Sequence, residues 1–147
     1  MNGDQASQIK EIINQLISKI GFEDFSVEAN EEGRRVSVLI SDAKFFKDML
    51  PYFVSDINYL VRLITKKQDW GDIIIDVNNY LKEREGLILE LARAAARKSV
   101  ATKEEISLPP MNSYERRLVH TELADRPDLK TESAGEGKER YVVIKPL

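Results

Sequence analysis

Residues 110–120 read Pro-Met-Asn-Ser-Tyr-Glu-Arg-Arg-Leu-Val-His, the pattern of a helix entrance. Asn112 can cap the first turn through its side-chain oxygen, and Glu115, three residues on, can reach back to the N–H of the cap. At 100° per residue, Arg116, His120, Ser113 and Arg117 then share one polar arc. Tyr114, Leu118, Val119 and Leu123 fall on the opposite side. A short helix is therefore expected to pack one flank on a core and show two guanidiniums, an imidazole and a hydroxyl on the other. Such a set suits a phosphate backbone, because arginines give forked hydrogen bonds and an imidazole can donate a bond or stack on a base. Glu115 and Glu122 interrupt the apolar arc. Glu115 has the capping role; Glu122 has no account in the sequence beyond the option of an arginine partner.

Arg116-x-x-x-His120, preceded by Pro-Met-Asn-Ser-Tyr-Glu, resembles the signature of the R-three-H domain, named for an arginine and a histidine separated by three residues. The downstream run Thr131-x-Ser133-x-Gly135-x-x-x-x-Arg140-x-Val142-Val143-Ile144 resembles that domain's closing segment. Together the two runs are similar to the C-terminal half of the bacterial Jag (SpoIIIJ-associated, KhpB) family, cytoplasmic RNA-binding proteins with a KH domain followed by an R-three-H domain. The resemblance implies an α+β chain, a second domain of two helices and three short strands, and binding of single-stranded RNA or DNA, RNA above all. It implies no cofactor and a cytoplasmic location. A further N-terminal domain common in that family has no counterpart in this sequence, so the family's cellular role is expected to transfer only loosely.

Length and composition bound the alternatives. A chain of 147 residues forms one ordinary domain or two small ones. Apolar residues at 42% permit a real core, and 32% charged residues argue for a well-solvated surface. No apolar run approaches the roughly 18 residues needed to span a bilayer, and residues 1–5 lack the basic start and apolar core of a signal peptide. The absence of cysteine removes disulfides and thiol chemistry and fits a reducing compartment. A single histidine excludes a histidine-rich metal site. The net charge of −3 is unusual for a nucleic-acid binder, but it is unevenly spread. Residues 1–78 hold 9 Lys and Arg against 13 Asp and Glu, whereas residues 79–147 hold 13 against 12. Modest, salt-sensitive affinity from a local patch is the expectation.

Taken in order, residues 5–20 form the clearest helix, with Ile9, Ile12, Ile13, Leu16, Ile17 and Ile20 in one stripe and Gly21 as its stop. Residues 24–29 and 35–40 read as an antiparallel hairpin turning over residues 30–33. Phe45 and Phe46 suggest a short helix, and Pro51 stands near the start of another, whose stripe is Phe53, Ile57, Leu60, Val61 and Ile64. Residues 72–77 read as a central or well-covered strand. This order is similar to the prokaryotic-type KH fold, as is the exit Asp76-Val77-x-x-Tyr80-Leu81-x-x-Arg84. KH domains grip a nucleic-acid backbone with a Gly-x-x-Gly loop, and nowhere in this sequence do two glycines stand three apart. Anchoring on Tyr59-Leu60-Val61 places Asp48-Met49-Leu50-Pro51 there instead, a carboxylate and a proline for two glycines. Residues 1–78 are thus expected to form a degenerate KH-like domain that contributes little binding, and residues 79–147 the R-three-H domain. A boundary near residues 77–82 falls within a helix running from Tyr80 to about Val100, with Tyr80, Leu87, Ile88, Leu91, Ala92 and Ala95 on one face. Arg93, Arg97 and Lys98 lie toward its far end. A short strand at 104–108, a Pro109-Pro110 turn, and strands at 129–133 and 140–144 around a tip at 134–137 complete the chain.

The candidate contacts are Arg116, His120, Arg117, Arg140, Ser113 and Lys138, with Arg140 on a strand facing the helix and Lys138 at the hairpin tip. His120 can serve both as a ligand contact and as a ring anchored by a neighbour. Trp70 and Tyr59 are read as core residues. An enzyme is not expected: Ser113 and His120 stand two turns apart, about 10 Å along the helix, and no phosphate loop, nucleophile elbow or metal cluster is present. The alternative reading is a protein-interaction adaptor that has lost nucleic-acid binding, with a protein partner on the KH-like domain.

Overall fold

A computed structural model describes residues 1–32, 34–42 and 47–147. The chain is α+β and divides into two compact units, Met1–Lys82 and Glu83–Leu147.

In the first unit, helix α1 (Gly3–Ile20) opens on a capping box, with Asn2 accepting from the Gln5 N–H and Gln5 from the Asn2 N–H. It closes on Gly21, whose φ of 118° is a conformation glycine adopts without a Cβ clash. Ile9, Ile13 and Ile17 are fully buried, while Ile20, at the end of the stripe, is half exposed. Strands β1 (Phe25–Asn30) and β2 (Arg35–Ile40) pair antiparallel, and β2 pairs parallel with β3 (Ile74–Val77). Helix α2 (Leu50–Gln68) buries Val54, Ile57, Val61 and Thr65, and Val36, Val38, Ile75 and Val77 complete the core. The expected helical turn at Phe45 and Phe46, and Gly33 of the hairpin turn, lie outside the described residues.

β3 is well covered, one of the two readings its apolar run offers, and takes an edge place, since the sheet order is β1-β2-β3 and β2 takes the middle. Its continuous apolar run reflects cover on its faces, not a strand on either side. Its open edge is closed by a side chain: Asn58 of α2 accepts from the Ile75 N–H at 2.8 Å and donates to the Ile75 carbonyl at 2.8 Å. Tyr59 is 60% exposed rather than core, whereas Trp70 packs against the core half-buried. One residue past Asn58, Tyr59 is turned 100° away from the sheet.

Helix α3 (Tyr80–Thr102) begins where the buried Asp76 carboxylate accepts from the Leu81 and Lys82 N–H groups, and the boundary between the units falls within this helix. In the second unit α3 buries Ile88, Ala92, Ala95, Ala96 and Ser99. Leu87 and Leu91 are exposed, against expectation. The contact stripe is centred on the small residues, and Leu87 stands about 100° from Ile88. Strand β4 (Ile106–Ser107), helix α4 (Ser113–Leu123), strand β5 (Leu129–Ala134), a 3-10 turn (Gly137–Glu139) and strand β6 (Tyr141–Pro146) follow. All pairings are antiparallel in the order β4-β6-β5. Val119 and Leu123 from α4 meet Ala92 and Ala96 from α3 and Val142 and Ile144 from β6 in the second core.

Asn58→Ala leaves both backbone groups of Ile75 without their side-chain partner. It is expected to cost about 1–3 kcal/mol, measured as a lower urea midpoint at unchanged m-value. An unchanged midpoint would mean that Asn58 does not close the sheet edge.

Candidate functional site

The entrance of α4 is pinned from three sides. Asn112 accepts from the Glu115 N–H at 2.9 Å and Glu115 accepts from the Asn112 N–H at 3.0 Å, the reciprocal cap expected from the sequence. The other Glu115 oxygen takes the guanidinium of Arg84, from α3. This ion pair explains how a glutamate that is 6% exposed sits on the apolar side of α4. Upstream, the Leu108 N–H bonds the Val142 carbonyl and the Met111 N–H the Arg140 carbonyl, so residues 108–111 are laced along β6. Arg116 Nη1 then donates to the Met111 carbonyl at 2.7 Å.

These constraints leave an open cleft of about 540 Å³, lined by Arg84, Pro110, Met111, Asn112, Ser113, Glu115, Arg116, Gly137 and Lys138. Three of the sequence candidates, Ser113, Arg116 and Lys138, are brought together there. Lys138 arrives from the 3-10 turn between β5 and β6, and Ser113 and Arg116 from α4. With Arg84 spent on Glu115, Arg116 and Lys138 supply the excess positive charge. Arg117 is exposed on α4 and makes no hydrogen bond or ion pair among the described residues. Glu122, on the same helix, is taken by Arg93 of α3. Arginine–glutamate pairing therefore runs between helices and spares Arg116 and Arg117. Tyr114, expected on the core side, is 44% exposed, and its hydroxyl donates to Glu85.

His120 and Arg140 stand outside the cleft lining. Both ring nitrogens of His120 are engaged: Nδ1 lies 2.7 Å from Thr131 Oγ1 and Nε2 2.9 Å from Ser133 Oγ. Thr131 and Ser133 are alternate residues of β5 and so share one face of the sheet. A neutral imidazole has one N–H and one lone pair, and each hydroxyl can adapt to either. Burial first, and the charge of Arg116 second, hold the ring below its usual pKa of 6.5. The arrangement orients the ring and ties α4 to β5. Arg140 precedes β6 rather than standing on it, and its guanidinium donates to the Gly135 carbonyl at 2.9 Å, bracing the hairpin. That turn needs Gly135, whose φ is 79° and whose added Cβ would meet the Glu139 carbonyl at 3.1 Å.

Sequence reasoning missed the pairing of Arg84 with Glu115, which spans 31 positions, and gave no role to Thr131 and Ser133. Their spacing, two hydroxyls on alternate strand residues, was the available signal. Among the described residues no group of three or more His, Cys, Asp or Glu side chains is placed to hold a metal ion, and no helix is long and apolar enough to cross a membrane.

Residues 87–146 match the family model of the R-three-H domain. The chain is 34% identical over 125 residues, 82% of its length, to the RNA-binding protein KhpB of Clostridium symbiosum, and the match covers 56% of that protein. It is 37% identical over 73 residues to the RNA-binding protein KhpB of Lactiplantibacillus plantarum, covering 50% of this chain and 23% of the relative. It is 36% identical over 77 residues to the RNA-binding protein KhpB of Bacillus subtilis, covering 51% and 37%. The chain thus spans about half the length, or less, of these relatives.

Because His120 is the one histidine of the chain, its titration can be followed without assignment. Its midpoint, read from the imidazole resonances, is expected below 6.5. A native pKa below the unfolded one means that the unfolded chain binds more protons near pH 6.5. The stability from the neutral ring is therefore complete above pH 6.5 and is lost as pH falls from there toward the native midpoint. The melting temperature should fall across that window, and His120→Gln should flatten the fall. A midpoint at or above 6.5 would contradict the buried, hydroxyl-clamped ring.

Proposed function

Because the chain belongs to the KhpB (Jag) family and carries an R-three-H domain, we propose that its second unit binds single-stranded nucleic acid, RNA above all, through the phosphate backbone. The observation that carries this reading is the convergence of Arg116, Lys138 and Ser113 on one open cleft, with Arg117, unpaired among the described residues, exposed on the same helix. Arg116 keeps donors beyond the one given to Met111, Lys138 contributes an exposed ammonium, and the Ser113 hydroxyl lies at the start of α4, where backbone N–H groups favour an anion. His120 orients α4, and with both nitrogens engaged it contacts nucleic acid through its ring face. Arg140 shapes the hairpin that carries Lys138. Two or three phosphate contacts set affinity without reading bases, so little sequence preference is expected. The protein acts as a binding module in the cytoplasm and not as an enzyme.

On the same reading, residues 1–78 form a KH-like domain with a weakened grip. The start of α2, where a KH loop would present its glycines, carries the exposed Asp48, has no side-chain cap, and holds Pro51 in its first turn. Asp48 repels phosphate and Pro51 lacks a donor N–H.

Fluorescence anisotropy of the full chain with labelled random single-stranded RNA and DNA, at two salt concentrations, tests the proposal. Arg117→Ala and Lys138→Ala are the cleanest probes, since neither side chain has a structural partner among the described residues. Each should weaken binding to all sequences alike and reduce the salt slope by roughly 0.7, one phosphate contact. Arg116→Ala should do the same with some loss of stability, and His120→Ala should weaken binding with a smaller change in slope. Undiminished binding by the folded Arg116, Arg117 and Lys138 variants would overturn the site, and an effect on one sequence only would overturn the backbone mechanism.

A further inference from the structure

The first turn of α4 sets one large ring beside its cations. Tyr114 is 44% exposed, although the sequence alone groups it with the core side. Side chains three or four residues apart on a helix are surface neighbours, about 5–6 Å between Cβ atoms. Arg116 and Ser113 are three apart, Ser113 and Arg117 four, and Arg117 and Tyr114 three. The cleft residues Arg116 and Ser113 therefore lead across the exposed Arg117 to Tyr114 without a gap.

The far end of this ring is engaged. The Tyr114 hydroxyl donates to Glu85 of α3 at 3.2 Å, so its proton is already given to a carboxylate. Glu85 also sets a negative charge at that end, which repels phosphate. A backbone that follows the cations would turn away from it, whereas a neutral base would not. Bases of a single strand are free of a duplex and can be splayed onto aromatic side chains. Such stacking tolerates any sequence, because each base has a π face, and this agrees with a site that holds phosphates without reading bases. Bracing α4 against α3 is the other role open to Tyr114, and it needs the hydroxyl, whereas stacking needs the ring. Building on the cleft assigned above, we propose that Tyr114 is the base-stacking residue of the same site. With phosphates on Arg116 and Arg117, the adjoining base lies on the Tyr114 ring.

Fluorescence anisotropy of the full chain tests this with two labelled strands of equal length, a random single-stranded RNA and an oligomer whose sugars carry no bases. The unaltered chain should bind the base-bearing strand about tenfold more tightly, the scale of one stacked base. Tyr114→Leu should remove most of that preference with no change in salt slope, since a neutral ring releases no counterion. Tyr114→Phe, which keeps the ring and drops the bond to Glu85, should rescue it. Equal binding of both strands by the unaltered chain would overturn the proposal, as would a Tyr114→Leu chain that keeps the preference. A Tyr114→Phe chain as weak as Tyr114→Leu would overturn it in favour of bracing, and a reduced salt slope in favour of a phosphate contact. If Arg117→Ala weakens binding while Tyr114→Leu does not, stacking alone falls; if neither strand binds at all, the cleft falls and stacking with it.

Discussion

The second unit depends on a single carboxylate. Glu115 gives one oxygen to the Asn112 N–H and the other to Arg84, and it does so 6% exposed. A charge so far from water requires both partners, so its burial fixes three things together: the first turn of α4, the loop before it, and the approach of α3. Ser113 and Arg116 inherit their positions from that turn. Lacing of residues 108–111 to β6 then brings the hairpin that carries Lys138 to the same cleft.

An acidic chain can hold a cationic site where the acids of the helix that carries it are already paired. Arg84 neutralises Glu115 and Arg93 neutralises Glu122, while on the sheet Lys145 and Lys130 hold Glu132. Net charge counts every group alike, whereas a phosphate within a Debye length responds to the groups left uncompensated. Among the described residues, Arg117 and Lys138 are of that kind. His120 adds geometry instead of charge. The ring is neutral at neutral pH, and Thr131 and Ser133 hold its two nitrogens so that α4 cannot rotate against β5 without breaking both bonds.

Much of this is legible in the sequence, in proportion to how local the governing interaction is. The Asn112–Glu115 box, the Gly21 stop, the hairpin of β1 and β2, and the stripe at Ile9, Ile13 and Ile17 each rest on neighbours within about a turn or a strand pair. They stand as expected. The misreadings share one cause. Periodicity tells which side chains share a face but not what lies against that face. It groups Leu87 and Leu91 with Ile88 and Ala92, yet the contact runs along the alanines. It offers Tyr59 to the core, yet Asn58, its neighbour, is the residue that turns inward to β3. The apolar run at β3 fits a central strand as well as an edge one, because cover and pairing leave the same trace in sequence. Arg140 reads as a strand residue with its charge free, and the Gly135 carbonyl that it braces is found only once the turn is closed.

The most direct test of the central claim, that the cleft at the start of α4 is where nucleic acid binds, is a residue-resolved one. A ¹H–¹⁵N correlation spectrum of the full chain should be recorded as a short single-stranded RNA is added. The largest shift changes are expected at residues 113, 116, 117 and 138, with smaller ones at 120, 131 and 133 and little change along α2. Changes concentrated in residues 1–78, or absent around 113–117 while binding saturates, would contradict it.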